Sequence, residues 1–202
     1  MKREVNMLTC VAILALSLAM FPLTGCSAAD VADPPEIGAI FPNFALPDLD
    51  GAPHTLEQYR GKVVVIEMAS QHCPWSRGAD PHLVELANKY KDDGVVFIGI
   101  DSHNDTPVAA IKTYVEEHGK SYVMLKDEGN QYADVLGARV TPEVYVLDRE
   151  GKLVYHGAFD NRANPTEKGD EAYTDRAVQA ALAGTAAEPN RVKAWGCGIK
   201  RK

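Results

Sequence analysis

Two cysteines carry the redox chemistry that this sequence can offer. Cys73 lies in the stretch MASQHCPWS, residues 68–76, and Cys197 in the closing WGCGIKRK, residues 195–202. Cys73 directly precedes Pro74, a residue suited to the first helical position, so its thiol falls at or near a helix N-cap. Unpaired backbone N–H groups and the helix dipole favour an anion there. A thiol so placed ionises more readily, and the thiolate is the form that reacts. Three residues on, where a CxxC pair would put its second thiol, stands Ser76. A second thiol attacks the mixed disulfide made by the first and frees the product. A serine cannot, although its hydroxyl could donate a hydrogen bond to the Cys73 thiolate and lower its pKa. Such a site holds its partner covalently, needs an external thiol, or draws a resolving thiol from elsewhere in the chain.

Whether Cys197 is that thiol depends on how the other cysteines are spent. Lys2 and Arg3 precede an apolar run from Leu8 to Leu23, and the run ends in Leu23-Thr24-Gly25-Cys26. This is the layout of a signal peptide over residues 1–25. The run is short for a transmembrane helix, which needs ~20 apolar residues. Leu-Thr-Gly-Cys resembles the bacterial lipobox, which implies cleavage before Cys26, acylation of its sulfur and a lipid anchor in the cell envelope. Cys10 would leave with the signal, so Cys73 and Cys197 are the remaining thiols, and outside the cytosol two such thiols can pair. Without Lys2, Arg3 and Glu4 the 21 basic and 28 acidic residues fall to 19 and 27, leaving an acidic protein. Nucleic acid is therefore not expected as a partner, because phosphate binding needs a basic face.

The surrounding elements must hold these thiols. Residues 26–36 are small, acidic and proline-rich and read as a tether. Residues 37–183 read as one α/β domain, with 184–202 as a C-terminal tail. Asp50-Gly51 marks the turn of a small N-terminal hairpin. Lys62 to Ala69 is a nearly continuous β-branched run, the pattern of a strand buried on both faces. A helix is predicted from Pro74 to about Tyr90, a strand after Gly94, a helix from Thr106-Pro107 to about Glu117, and a strand at SYVMLKD, residues 121–127. A short helix around Gln131 to Leu136, a hairpin turning at Arg149-Glu150-Gly151 and a last helix from about Asp175 to Leu182 complete the order β-α-β-α-β-α-β-β-α. Crossover helices imply parallel strands, and the late hairpin makes the sheet mixed, with helices on both faces. The tail contains little that would anchor it. Stretched from Gly184, it could reach ~43 Å at ~3.3 Å per residue, far beyond a domain radius of gyration of ~15 Å.

Several separated features resemble the thioredoxin-like superfamily, in its redoxin branch of TlpA-type oxidoreductases and peroxiredoxin (AhpC/TSA) relatives, over roughly Ile37 to Phe159. Cys73-Pro74 falls where thioredoxins have the nucleophilic cysteine. Glu67 matches their buried, proton-relaying carboxylate, and burial would raise its pKa toward the range useful for proton transfer. Pro81 falls where their first helix is kinked. Val140-Thr141-Pro142 matches the loop whose cis-proline lies beside the active sulfur, and a cis bond there would leave backbone at Thr141 open to a substrate strand. Trp75 is a candidate apolar contact for partners, and His72 for assisting ionisation. The Gly-Cys-x-Ile-Lys ending is similar to that of secreted redoxin-domain proteins with a single active-site cysteine.

The resemblance implies an envelope thiol-disulfide oxidoreductase with Cys73 as nucleophile, resolved by Cys197, acting on protein thiols or disulfides with an unidentified external reductant. The alternative is a peroxiredoxin-like peroxidase in which Cys73 reduces a hydroperoxide. There Ser70 would stand for the threonine of the family's PxxxTxxC pattern, Ile66 departs from its proline, and Arg139 is the candidate arginine beside the sulfur. A non-catalytic binding protein or metal chaperone is the third reading. The CxxxC and distant histidine of the copper-delivering relatives are missing, and His72 with Cys73 alone does not make a metal site; no cofactor is called for.

Overall fold

The computed structural model describes residues 31–201. The expected signal peptide, the expected lipidation site Cys26, the first part of the expected tether and Lys202 lie outside the described residues. A hairpin of β1 (Ala45–Pro47) and β2 (Pro53–Thr55) comes first, turning at Asp48–Gly51 as Asp50-Gly51 predicts. Then follow β3 (Val63–Ala69), α1 (Pro74–Tyr90), β4 (Val95–Asp101), α2 (Val108–Glu117), β5 (Val123–Lys126) and α3 (Gln131–Val135). The chain closes with β6 (Val140–Thr141), β7 (Glu143–Leu147), β8 (Leu153–Gly157), α4 (Tyr173–Ala183) and β9 (Cys197–Gly198). Each element expected from the hydrophobic pattern is present.

The central sheet has the strand order β5-β4-β3-β7-β8. β3, β4 and β5 are parallel, as their crossover helices require, and β7 and β8 join antiparallel, so the sheet is mixed. Every residue of β3 is buried. Alternation along that strand sends Val64, Ile66 and Met68 into a core with Phe41, Tyr145 and Ile199. Val63 and Val65 face the opposite way, into a core with Leu83 of α1 and Val178 of α4. Strand side chains repeat every two residues. Glu67 therefore shares the α1 side of the sheet with Val65, and a buried carboxylate follows directly from the register.

One expectation fails. The tail is not loose after Leu182. Arg191 donates to the His156 ring at 2.9 Å and to the Pro35 carbonyl, and Val192 N–H donates to the His156 carbonyl. Trp195 donates its ring N–H to the Asp160 carbonyl at 2.8 Å. The terminal residues add β9, paired antiparallel to β6. What the apolar periodicity missed is anchorage by single side chains and backbone bonds, which leave no periodic trace.

Candidate active site

The site forms at the carboxyl end of β3, where the chain turns from strand to helix. Cys73 N–H donates to the Ser70 carbonyl, closing the turn, and the extended backbone of Cys73 makes it the N-cap of α1. Pro74 occupies the first turn, and the Cys73 carbonyl accepts from Arg77 N–H at 3.0 Å. The expected N-cap position is therefore found, and a negative charge on this sulfur would face the helix N-terminus. Cys73 itself is 1 % exposed. Its thiol donates to the Thr141 carbonyl at 2.9 Å.

Thr141 is also where the tail arrives. β6 and β9 pair so that Thr141, whose carbonyl accepts from the Cys73 thiol, lies opposite Cys197, and this brings the Cys197 thiol beside Cys73. Burial and then the neighbouring Cys73 push the Cys197 thiol up to about 11. Both thiols are free, Cys73 buried and Cys197 half-buried. Gly196 permits this approach. It has φ +145°, and a Cβ there would come within 1.9 Å of the Thr141 carbonyl oxygen.

The tail covers what was expected to meet a partner. The Thr141–Pro142 bond is cis, as the resemblance implies, but the backbone at Thr141 pairs with β9 of the same chain. Trp75 packs on Trp195 with ring centroids 5.0 Å apart. The Arg162 guanidinium lies 5.3 Å from the Trp195 ring centre and is held by a two-point ion pair with Asp160, at 2.8 and 2.9 Å. Beyond Cys197, Ile199 is buried, its N–H donating to the Arg139 carbonyl. The Lys200 carbonyl accepts from Asn104 N–H and from the Asn130 side chain, each at 3.2 Å, and Arg201 pairs with Asp134 at 2.8 Å. The Asn130 side chain also donates to the Ser102 hydroxyl, next in the chain to Asp101, which Lys126 bridges to the His103 carbonyl.

Other expected contacts are not made. Ser76 is buried, but its hydroxyl accepts from Ser70 N–H at 3.3 Å, and no Ser76–Cys73 hydrogen bond occurs among the described residues. Its place in the first turn of α1 aims it back at the strand-end loop. His72 is exposed, with its backbone N–H bonded to the Ser70 hydroxyl. Arg139 is exposed and lines a cleft of about 410 Å³ with Glu143, His156 and Arg191, which neither cysteine lines.

Glu67 is brought into a buried charge cluster that sequence reasoning did not find. Lys120 reaches Glu67 at 3.3 Å and Asp80 of α1 at 2.6 Å, all three almost fully buried. Tyr122 donates to Glu67 at 3.1 Å and Tyr114 to Asp80 at 2.7 Å. Burial, offset in part by Lys120, raises the Glu67 carboxyl to about 7. Burial pulls Lys120 down, but Glu67 and Asp80 outweigh it and hold the ammonium above its ordinary value. Oε1 of Glu67 is buried without a hydrogen-bond partner among the described residues. Nothing in the local sequence around Lys120 marked it for burial.

Comparisons with known proteins bear on the family and the fold. The chain is 30% identical to the thiol-disulfide oxidoreductase ResA of Bacillus thuringiensis over 119 residues, 59% of this chain and 68% of the relative. A crystal structure of an uncharacterized conserved protein from Geobacillus kaustophilus is similar with a TM-score of 0.77 at 31% identity, covering 83% of this chain and 93% of that one. A thioredoxin-family thiol:disulfide interchange protein from Chlorobium tepidum shares the fold, with a TM-score of 0.57 at 21% identity over 73% of this chain and 99% of its own. With its thioredoxin-like sheet, and with the Redoxin family matching residues 36–175, the chain belongs to the Redoxin family.

Proposed function

We propose that this protein is a thiol-disulfide oxidoreductase whose redox pair is Cys73 and Cys197. The observation that carries the reading is that both cysteines meet at Thr141, Cys73 through its thiol on the Thr141 carbonyl and Cys197 through the β6–β9 pairing. As a redoxin with relatives named thiol-disulfide oxidoreductases, it is an oxidoreductase. Cys73 is the nucleophilic sulfur, set at a helix N-terminus, and Cys197 is the second thiol that closes a disulfide with it. Closing that bond removes two electrons and two protons from the pair. A partner disulfide takes them up and leaves as two thiols. The charged n-region and lipobox support export and a lipid anchor at Cys26, with protein thiols or disulfides in the envelope as partners. The peroxidase reading stands second, because among the described residues no hydrogen bond joins the Arg139 side chain to the Cys73 sulfur.

Glu67 is proposed as the group that moves the proton of this exchange. Its unpartnered oxygen and raised carboxyl suit proton transfer near neutral pH. The expected rate-pH profile of disulfide reduction therefore rises through an inflection near 7, as Glu67 loses its proton. Glu67→Gln is expected to remove that inflection and to lower the rate above it by roughly a hundredfold or more. An unchanged profile would deny Glu67 the role. The function itself is tested by running disulfide-reduction and hydroperoxide-consumption assays side by side on the wild type, Cys73→Ser and Cys197→Ser. The proposal expects only disulfide reduction to depend on both cysteines; hydroperoxide consumption that depends on both would favour the peroxidase.

A further inference from the structure

The two sulfurs are not equally open to the outside. Cys73 is 1 % exposed and lies under the tail, whereas Cys197 is half-buried between the exposed residues Gly196 and Gly198. The backbone at Thr141, where a partner strand would pair to present its sulfur to Cys73, is taken by Cys197. The tail is fixed on both sides of that point. Trp195 is held by Trp75, Arg162 and the Asp160 carbonyl on one side. Buried Ile199, the Lys200 backbone and the Arg201–Asp134 pair hold the other.

Resting on the Cys73–Cys197 pair proposed above, we infer that Cys197, not Cys73, is the sulfur at which this protein exchanges with outside thiols and disulfides. An incoming thiolate attacks Sγ of Cys197 in the oxidised protein. The Cys197–Cys73 bond breaks, and its electron pair leaves on Cys73, whose negative charge faces the N-terminus of α1. A second thiolate attacks the outside sulfur of that mixed disulfide, giving the outside disulfide and a Cys197 thiolate that takes a proton from solvent. In the opposite direction Cys197 gives its proton to solvent and attacks a partner disulfide, one partner sulfur leaving as a thiolate; the Cys73 thiolate then attacks Sγ of Cys197, closing the Cys73–Cys197 bond and releasing the second partner thiolate. Cys73 stays the nucleophile inside the pair, but the order in which the sequence placed the two thiols is reversed. The tail is then the carrier arm of the reaction, and substrates need no strand that fits Thr141.

The test starts from wild-type protein oxidised with diamide. It is mixed briefly with 2-mercaptoethanol, acid-quenched, alkylated with N-ethylmaleimide in urea and mapped by mass spectrometry. The inference expects mercaptoethanol on Cys197 and maleimide on Cys73, by at least about ten to one; the reverse or an even distribution overturns it. Gly196→Ala, whose Cβ meets the Thr141 carbonyl, lifts the tail and is expected to move the adduct toward Cys73. If diamide yields no Cys73–Cys197 disulfide, the redox-pair reading fails instead. Access is then read from 5,5′-dithiobis(2-nitrobenzoate) on the single-cysteine variants. There access outweighs ionisation: with Cys73 still 1 % exposed, and with its push on the Cys197 thiol removed in Cys73→Ser, Cys197 is expected to react roughly tenfold or more faster than Cys73 in Cys197→Ser, and equal or faster reaction at Cys73 overturns the inference.

Discussion

Cys73→Ser is expected to reduce disulfide-exchange turnover by roughly a thousandfold or more, to near the uncatalysed level. The side chain is almost isosteric and its hydroxyl can still donate to the Thr141 carbonyl, so the fold has little reason to change. The thermal midpoint should therefore stay within a few degrees of wild type, about the shift that 1 kcal/mol produces in a domain of this size. What is lost is the internal nucleophile. A partner can still be captured at Cys197, but nothing inside the protein attacks the mixed disulfide. Adducts should accumulate on Cys197, visible by non-reducing electrophoresis. Wild-type turnover in Cys73→Ser would show that the sulfur at the N-cap is not the reacting group.

Lys120→Met is expected to be the most destabilising single change near the site, by about 3–5 kcal/mol, the usual cost of stranding a buried charge partner. Lys120 is the ammonium that both Glu67 and Asp80 use, and all three side chains are at most 3% exposed. Without it, two buried carboxylates face each other. The loss should depend on pH in a defined direction. A carboxyl whose folded pKa is raised is favoured in its protonated form, so its stabilising share is present below the unfolded value of 4.5 and falls as pH rises through the folded value of about 7. Removing the ammonium raises that carboxyl further, so the deficit should be largest above pH 7 and shrink toward pH 4–5. Denaturant melts at pH 5 and pH 8 check this. Equal losses at both would mean that Lys120 acts through packing alone. Adding Glu67→Gln to Lys120→Met should recover part of the loss at pH 8.

Much of this architecture could be read from periodicity. The β-branched run of β3 and the Cys73-Pro74 junction located the strand end and the helix start, because burial on both faces and the fixed φ of proline leave strong local signals. Glu67 stood out for the same reason, as a carboxylate inside an apolar strand. Its partner Lys120 did not, since it follows α2 in a polar segment and meets Glu67 only through packing of the folded chain. The docking of the tail leaves no sequence pattern for a related reason. Trp195, Ile199 and Arg201 anchor it one at a time, to Asp160, the core and Asp134. Reach alone allowed Cys197 to meet Cys73; only the two-residue pairing of β6 with β9 says how. That pairing also explains why Trp75 and Thr141, read as partner-binding, are covered by the chain's own residues.

The account depends most on Cys73 and Cys197 forming one redox couple. Peptide mapping of the monomeric protein after mild oxidation, with free thiols alkylated before digestion, measures this directly. The account predicts a peptide joining Cys73 to Cys197, two mass units lighter than the reduced pair and regenerated by reductant. Recovery of both cysteines in alkylated form, or in disulfides between chains, would contradict it.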